Sequence, residues 1–141
     1  MLNMIWPVAL VVLANTVYNI CTKSTPANAH AFLSLTVTYL VAAGISALFF
    51  LADKSAGPLG TELKNINWTA LVLGVAIIGL EFGYICIYRA GWPVSLGSLV
   101  ANLCLACVLV AVGVLLYKEV ITLRQILGLV VCGLGFVLIS K

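Results

Sequence analysis

The chain has 141 residues, of which 64% are hydrophobic and 8% charged, with a formal net charge of +3. A water-soluble domain carries about 25% charged residues, so this composition excludes an ordinary soluble globular fold and describes a polytopic membrane protein. The few cations are scattered, with no basic patch and no aromatic–basic interleaving, and nucleic acid is not an expected partner.

Apolar runs of about 20 residues cross a bilayer as helices, and the chain divides into five of them. The expected fold class is all-α, a single transmembrane domain over residues 1–141 with spans at about 4–22, 29–52, 68–88, 93–117 and 122–140. Span one opens near Pro7, which suits a first helical turn. Ala27-Asn28-Ala29 has the small-x-small form of a signal cleavage site, but Met1 to Val8 carries no Lys or Arg. The segment therefore reads as a retained helix. Span two carries His30, Ser34 and Thr38 at i, i+4 and i+8. A polar connection, Asp53 to Asn67, follows; its Asn67-Trp68-Thr69 sequon abuts span three and is discounted as a glycosylation site. Pro93 begins span four, and Thr122 is the expected N-cap of span five.

Five cysteines lie within or at the ends of the spans. An odd number inside membrane helices argues against a disulfide framework. Cys104-Leu105-Ala106-Cys107 spells C-x-x-C with no second pair and no nearby His, and reads as small, packable residues. There is no Ser-His-Asp set, phosphate loop or metal-ligand cluster, so neither an enzyme nor a cofactor is expected.

Basic residues bear on orientation. Lys54, Lys64, Lys118 and Arg124 fall on one side of five spans, and Lys23, Arg89 and Lys141 on the other. Four against three gives only a weak preference for a cytoplasmic N-terminus. Either one weakly determined orientation or dual topology, with two copies inserted oppositely, fits this balance. The expected location is the plasma or inner membrane.

One charge stands inside a span. Glu81 lies in Gly79-Leu80-Glu81-Phe82-Gly83-Tyr84-Ile85-Cys86-Ile87-Tyr88. Charged side chains at the bilayer centre cost about 2.5–3.5 kcal/mol on insertion scales and usually serve an ion, a proton or a substrate. Glu81, Tyr84 and Tyr88 share a face at i, i+3 and i+7; span one offers Asn15, Asn19 and Thr22, with Tyr18 beside them; span four offers Ser95, Ser98 and Asn102. Four of the five spans thus carry polar stripes, which suggests four helices around a polar cavity and an apolar fifth outside.

Three readings of Glu81 stay open: a site for a cationic substrate or its exchange for protons, a pair with a base such as His30, or a neutral acid in one helix–helix hydrogen bond. For the amides and hydroxyls, bridging between helices competes with substrate contact. Arg89 is an interfacial anchor or a gate that with Glu81 could hold a zwitterion. Gly79 and Gly83 form G-x-x-x-G and permit close packing, and Gly128, Gly133 and Gly135 give span five a smooth face suited to dimer contact.

The stretches Trp92-Pro93-Val94-Ser95-Leu96-Gly97-Ser98-Leu99, Tyr117-Lys118-Glu119-Val120-Ile121-Thr122-Leu123-Arg124-Gln125-Ile126-Leu127-Gly128 and Gly133-Leu134-Gly135-Phe136-Val137-Leu138-Ile139-Ser140 resemble an EamA-type half of the drug/metabolite transporter superfamily. In that pattern a Pro opens the fourth helix, a basic–Glu pair ends it and a Gly-rich fifth helix follows. The resemblance covers the chain in span count and is specific from Tyr84 onward. It implies a five-helix half that works against a second, inverted half, here an antiparallel homodimer or a heterodimer with a sister half. The small multidrug resistance branch is more distantly similar; its four helices carry the carboxylate in the first, whereas here it is in the third. The function so implied is secondary transport of a small organic solute, cationic or zwitterionic, by alternating access. Other classes are a non-transporting scaffold or accessory subunit and a component of a lipid-linked-sugar flippase.

Overall fold

A computed structural model describes residues 2–120 and 122–139, and every regular element among them is a helix. The order is α1 (Leu2–Ser24), α2 (Ala31–Ala52), α3 (Leu59–Asn65), α4 (Trp68–Arg89), α5 (Val94–Tyr117) and α6 (Leu123–Ile139). Inside hydrocarbon, a backbone can meet its own hydrogen-bonding needs only as a helix or a closed barrel. Runs this apolar, with no strand-length alternation, take the first course.

Among the described residues four helices are long and apolar enough to cross a bilayer: α1, α2, α4 and α5. Helix α2, with 22 residues, rises about 33 Å at 1.5 Å per residue, against a hydrocarbon core of about 30 Å. Helix α6 has 17 residues and falls at the short end of the spanning range. This is the architecture of a membrane protein with at least four helices of spanning length. The expected end of span five at Ser140, and Lys141 with its charge, lie outside the described residues.

The ends of the helices follow from local chemistry. Asn67 Oδ1 accepts the Thr69 N–H at 3.0 Å and also the Thr69 hydroxyl, which caps α4 and occupies the sequon. Pro93 stands at the N-cap of α5, its carbonyl accepting the Gly97 N–H at 2.9 Å. Thr122 and Gln125 form a reciprocal capping box ahead of α6. Gln125 Oε1 accepts the Thr122 N–H at 2.8 Å, and Thr122 Oγ1 accepts the Gln125 N–H at 3.4 Å. Lys118 adopts the left-handed conformation, φ 53°, that closes α5.

Two local expectations change. Helix α1 starts at Leu2, so Pro7 lies in the helix interior rather than its first turn. There it removes one backbone hydrogen bond. The 53–67 connection contains α3, a polar two-turn helix that hydropathy does not detect because it buries nothing.

The helices fall into two compact units. The first comprises residues 1–20 and 90–141; within it α5 packs against α6. The second comprises residues 21–89, and α2 packs against α4 there. The seam of the second unit is a small core of Ala31, Leu35 and Ile85, with Tyr39 packed against it. Phe32 stacks on Phe82, the ring centroids 4.9 Å apart and the planes within 9°.

Elsewhere the long helices expose their large apolar side chains, Leu40, Phe49, Leu71 and Leu115 among them. Contiguous apolar surface on this scale is foreign to soluble monomers and natural where lipid is the solvent. The glycines expected to admit close neighbours meet none among the described residues: a Cβ built at Gly79, Gly83, Gly128, Gly133 or Gly135 has nothing within 4 Å.

Candidate functional site

In the second unit, α4 supplies Glu81, Tyr84 and Tyr88. Their spacing does place them along one helix. Glu81 and Tyr84 are half-buried and Tyr88 is buried. The Tyr84 and Tyr88 rings lie 6.0 Å apart at 32°. Among the described residues Glu81 has neither a hydrogen-bond nor an ion-pair partner. Helix α2 packs against α4, and its Tyr39 lies against the core that Ala31 and Leu35 form with Ile85 of α4. The Tyr39 hydroxyl is buried, and no hydrogen-bond partner for it exists among the described residues. A buried hydroxyl left so costs about 1–3 kcal/mol. A cavity of about 360 Å³ lies beside the ring, walled by Tyr39, Ala70, Leu71, Gly74, Val75, Ile77 and Ile78.

Tyr39 is the residue that sequence reasoning missed. It follows Thr38, the last member of the span-two stripe, and the stripe drew attention to hydroxyls alone. The signal was present in the apolar set Ala31, Leu35 and Tyr39, spaced at i, i+4 and i+8, which the structure shows to be the packed face.

The span-two stripe is satisfied inside its own helix. The Ser34 hydroxyl donates to the His30 carbonyl at 3.2 Å and Thr38 to the Ser34 carbonyl at 3.0 Å. Such back-bonding to i−4 removes the need for a partner on another helix. His30 stands at the N-cap of α2 without a capping side-chain bond and is exposed.

At the end of α4, Arg89 reaches back to the α1–α2 connection and donates to the carbonyls of Ala29, at 2.5 Å, and Pro26, at 3.5 Å. Lys23 donates to the Tyr88 carbonyl at 3.3 Å and sits 5.8 Å from the centre of the Tyr88 ring, within range of a cation–π contact. The two cations therefore tie the end of α4 to the last turn of α1 and to the α1–α2 connection, which gives Arg89 an anchoring geometry.

In the first unit, α1 supplies Asn15, Tyr18 and Asn19, and α5 supplies Ser98 and Asn102. The Asn19 amide, 5% exposed, donates to the carbonyl and the Oδ1 of Asn15, both at 2.7 Å. The Asn102 amide donates to the Ser98 carbonyl at 2.8 Å and to Ser98 Oγ at 3.2 Å. The Tyr18 hydroxyl oxygen is buried. Asn15, Asn19 and Ser98 line one groove of this unit together with Thr16 and Ser95. All five cysteines are exposed and free. Among the described residues no three His, Cys, Asp or Glu side chains gather as a metal site would need.

No protein family, curated protein or solved structure matches this chain.

Proposed function

We propose that the chain is a five-span half-transporter, similar to one EamA-type half of the drug/metabolite transporter superfamily. In this reading it moves a small cationic or zwitterionic organic solute across the plasma or inner membrane. The observation that carries this reading is the unmet polarity on the packed pair α2 and α4. Among the described residues the half-buried Glu81 of α4 has no ionic partner, and the buried Tyr39 hydroxyl of α2 has no hydrogen-bond partner.

A structural acid in a membrane helix would be expected to spend itself on a neighbouring helix. Glu81 instead remains open to an ammonium group or a proton. Alternating access then follows from competition: solute and proton share one carboxylate, and the site faces one side of the membrane at a time. The pathway is completed by a second copy in inverted orientation, or by a sister half, consistent with binding sites at the interface of inverted repeats. The glycine faces of α4 and α6, uncovered among the described residues, are suited to that contact. Helix α6 serves as the fifth span.

The test is transport into proteoliposomes of a panel of radiolabelled amines and amino acids, with and without a pH gradient. Glu81→Gln is expected to lower gradient-driven transport at least about tenfold, the loss of one charge-assisted contact. Transport equal to the parent under every gradient would overturn the proposal.

A further inference from the structure

We infer that the groove between α1 and α5 in the first unit is a binding site for an uncharged, hydroxyl-rich solute, separate in chemistry from the Glu81 site. The groove has a volume of about 620 Å³, within the size range of small-molecule sites. Its polar wall is Asn15, Thr16 and Asn19 from α1 and Ser95 and Ser98 from α5. None of these side chains is ionisable, and among the described residues no Asp, Glu, Lys, Arg or His lines the groove. A charged ligand would leave water for this site without a counter-charge, which is costly. A neutral ligand bears no such cost.

The hydrogen-bond inventory sharpens the class. The Thr16 hydroxyl proton is spent on the Val12 carbonyl at 2.8 Å, so its oxygen is left to accept. Ser98 Oγ accepts from Asn102, so its own O–H is left to donate. The Ser95 hydroxyl and the Asn15 Nδ2 have no partner among the described residues. Donors and acceptors therefore stand side by side within two helical turns, the arrangement a hydroxyl matches because it donates and accepts at one atom. The rest of the wall, Val12, Ile20 and Val94, is apolar and suits the C–H face of a polyol or sugar ring.

Two simpler occupants fit less well. Hydrocarbon tails would leave five polar side chains facing lipid. Helix-to-helix bonding would use the same groups, yet the bonds of Thr16, Ser98 and Asn102 all stay within their own helices.

Saturation-transfer NMR on the whole chain in lipid nanodiscs tests this, with D-glucose as probe and D-glucosamine and D-gluconate as charged competitors. Transfer to the glucose ring protons is expected, with each competitor at least about tenfold weaker than glucose itself. Ser95→Ala, a change too small to threaten folding, is expected to weaken glucose about five- to tenfold, the loss of one hydrogen bond. Asn15→Leu acts in the same direction. Transfer no greater than to empty nanodiscs overturns the site. So does transfer that survives Ser95→Ala and Asn15→Leu together. Glucosamine or gluconate competing as well as glucose overturns the assignment to an uncharged ligand.

Discussion

Single residues decide how polarity is accommodated in this chain. Five hydroxyls in the spans, those of Thr16, Ser34, Thr36, Thr38 and Ser46, donate to the carbonyl four residues back. The periodicity that marks them as a stripe is the periodicity that lets them bond to their own helix. Glu81 and Tyr39 escape this: the acid has no donor for a carbonyl unless protonated, and the tyrosine hydroxyl sits too far from its backbone. At the membrane edge, Asp53 shows the ordinary aqueous logic. Its Oδ1 accepts the Ser55 hydroxyl at 2.7 Å and the Ser55 N–H at 2.9 Å, and these bonds hold the carboxyl below the usual aspartate value. A depressed carboxyl stabilises the fold above the unfolded-state value of about 3.9 and loses that contribution as pH falls through the folded-state value. Ser55→Ala removes the larger of the two bonds, and the Asp53 titration, followed by carboxyl carbon NMR, is expected to move upward toward the free value.

Elements are governed by their ends. Thr122 and Gln125 together satisfy donors that would otherwise face the membrane edge at the start of α6. Thr122→Ala is expected to cost about 1 kcal/mol, read as earlier thermal loss of helicity in nanodiscs, with Gln125→Ala having a smaller effect of the same sign. Arg89 acts on an element it does not belong to. Its bonds to Pro26 and Ala29 brace the turn in which the Ala29 N–H bonds the Pro26 carbonyl at 3.0 Å. Arg89→Ala is expected to speed hydrogen exchange of the Ala29 amide about fivefold, corresponding to about 1 kcal/mol, while the amides in the middle of α4 keep their protection. Unchanged exchange at Ala29 would assign Arg89 to lipid contact alone.

At the scale of the molecule, the near balance of cations makes orientation a measurable quantity. The antiparallel homodimer requires both orientations in one membrane. Lys64→Cys, exposed on α3, is expected to react with an impermeant thiol reagent from both faces, about half from each, in a background whose native span cysteines have been replaced. Reaction from one face alone would remove the homodimer and leave the heterodimer with a sister half. The fold was legible where hydrophobicity dominates: the observed bounds of α2, α4 and α5 lie within two residues of the expected spans. Helix α3 was not legible, because a short polar helix has no apolar period. Of the candidate site, Glu81 announced itself by its cost in hydrocarbon, whereas Tyr39 and Thr16 did not, since an aromatic or a hydroxyl in a span is cheap and common.

Sequence by itself therefore determined that the chain belongs in a bilayer, that its elements are helices, where the long ones run, and which side chain is the exceptional charge. Each follows from transfer free energy or from local capping, which depend only on residues near in the chain. Tertiary structure decided which polar groups meet. It set Tyr39 of α2 against the core shared with Ile85 of α4, and it gathered Asn15, Thr16 and Asn19 with Ser95 and Ser98 about one groove. Those encounters depend on which faces of helices distant in the chain pack together, and helical spacing within each span leaves that choice open.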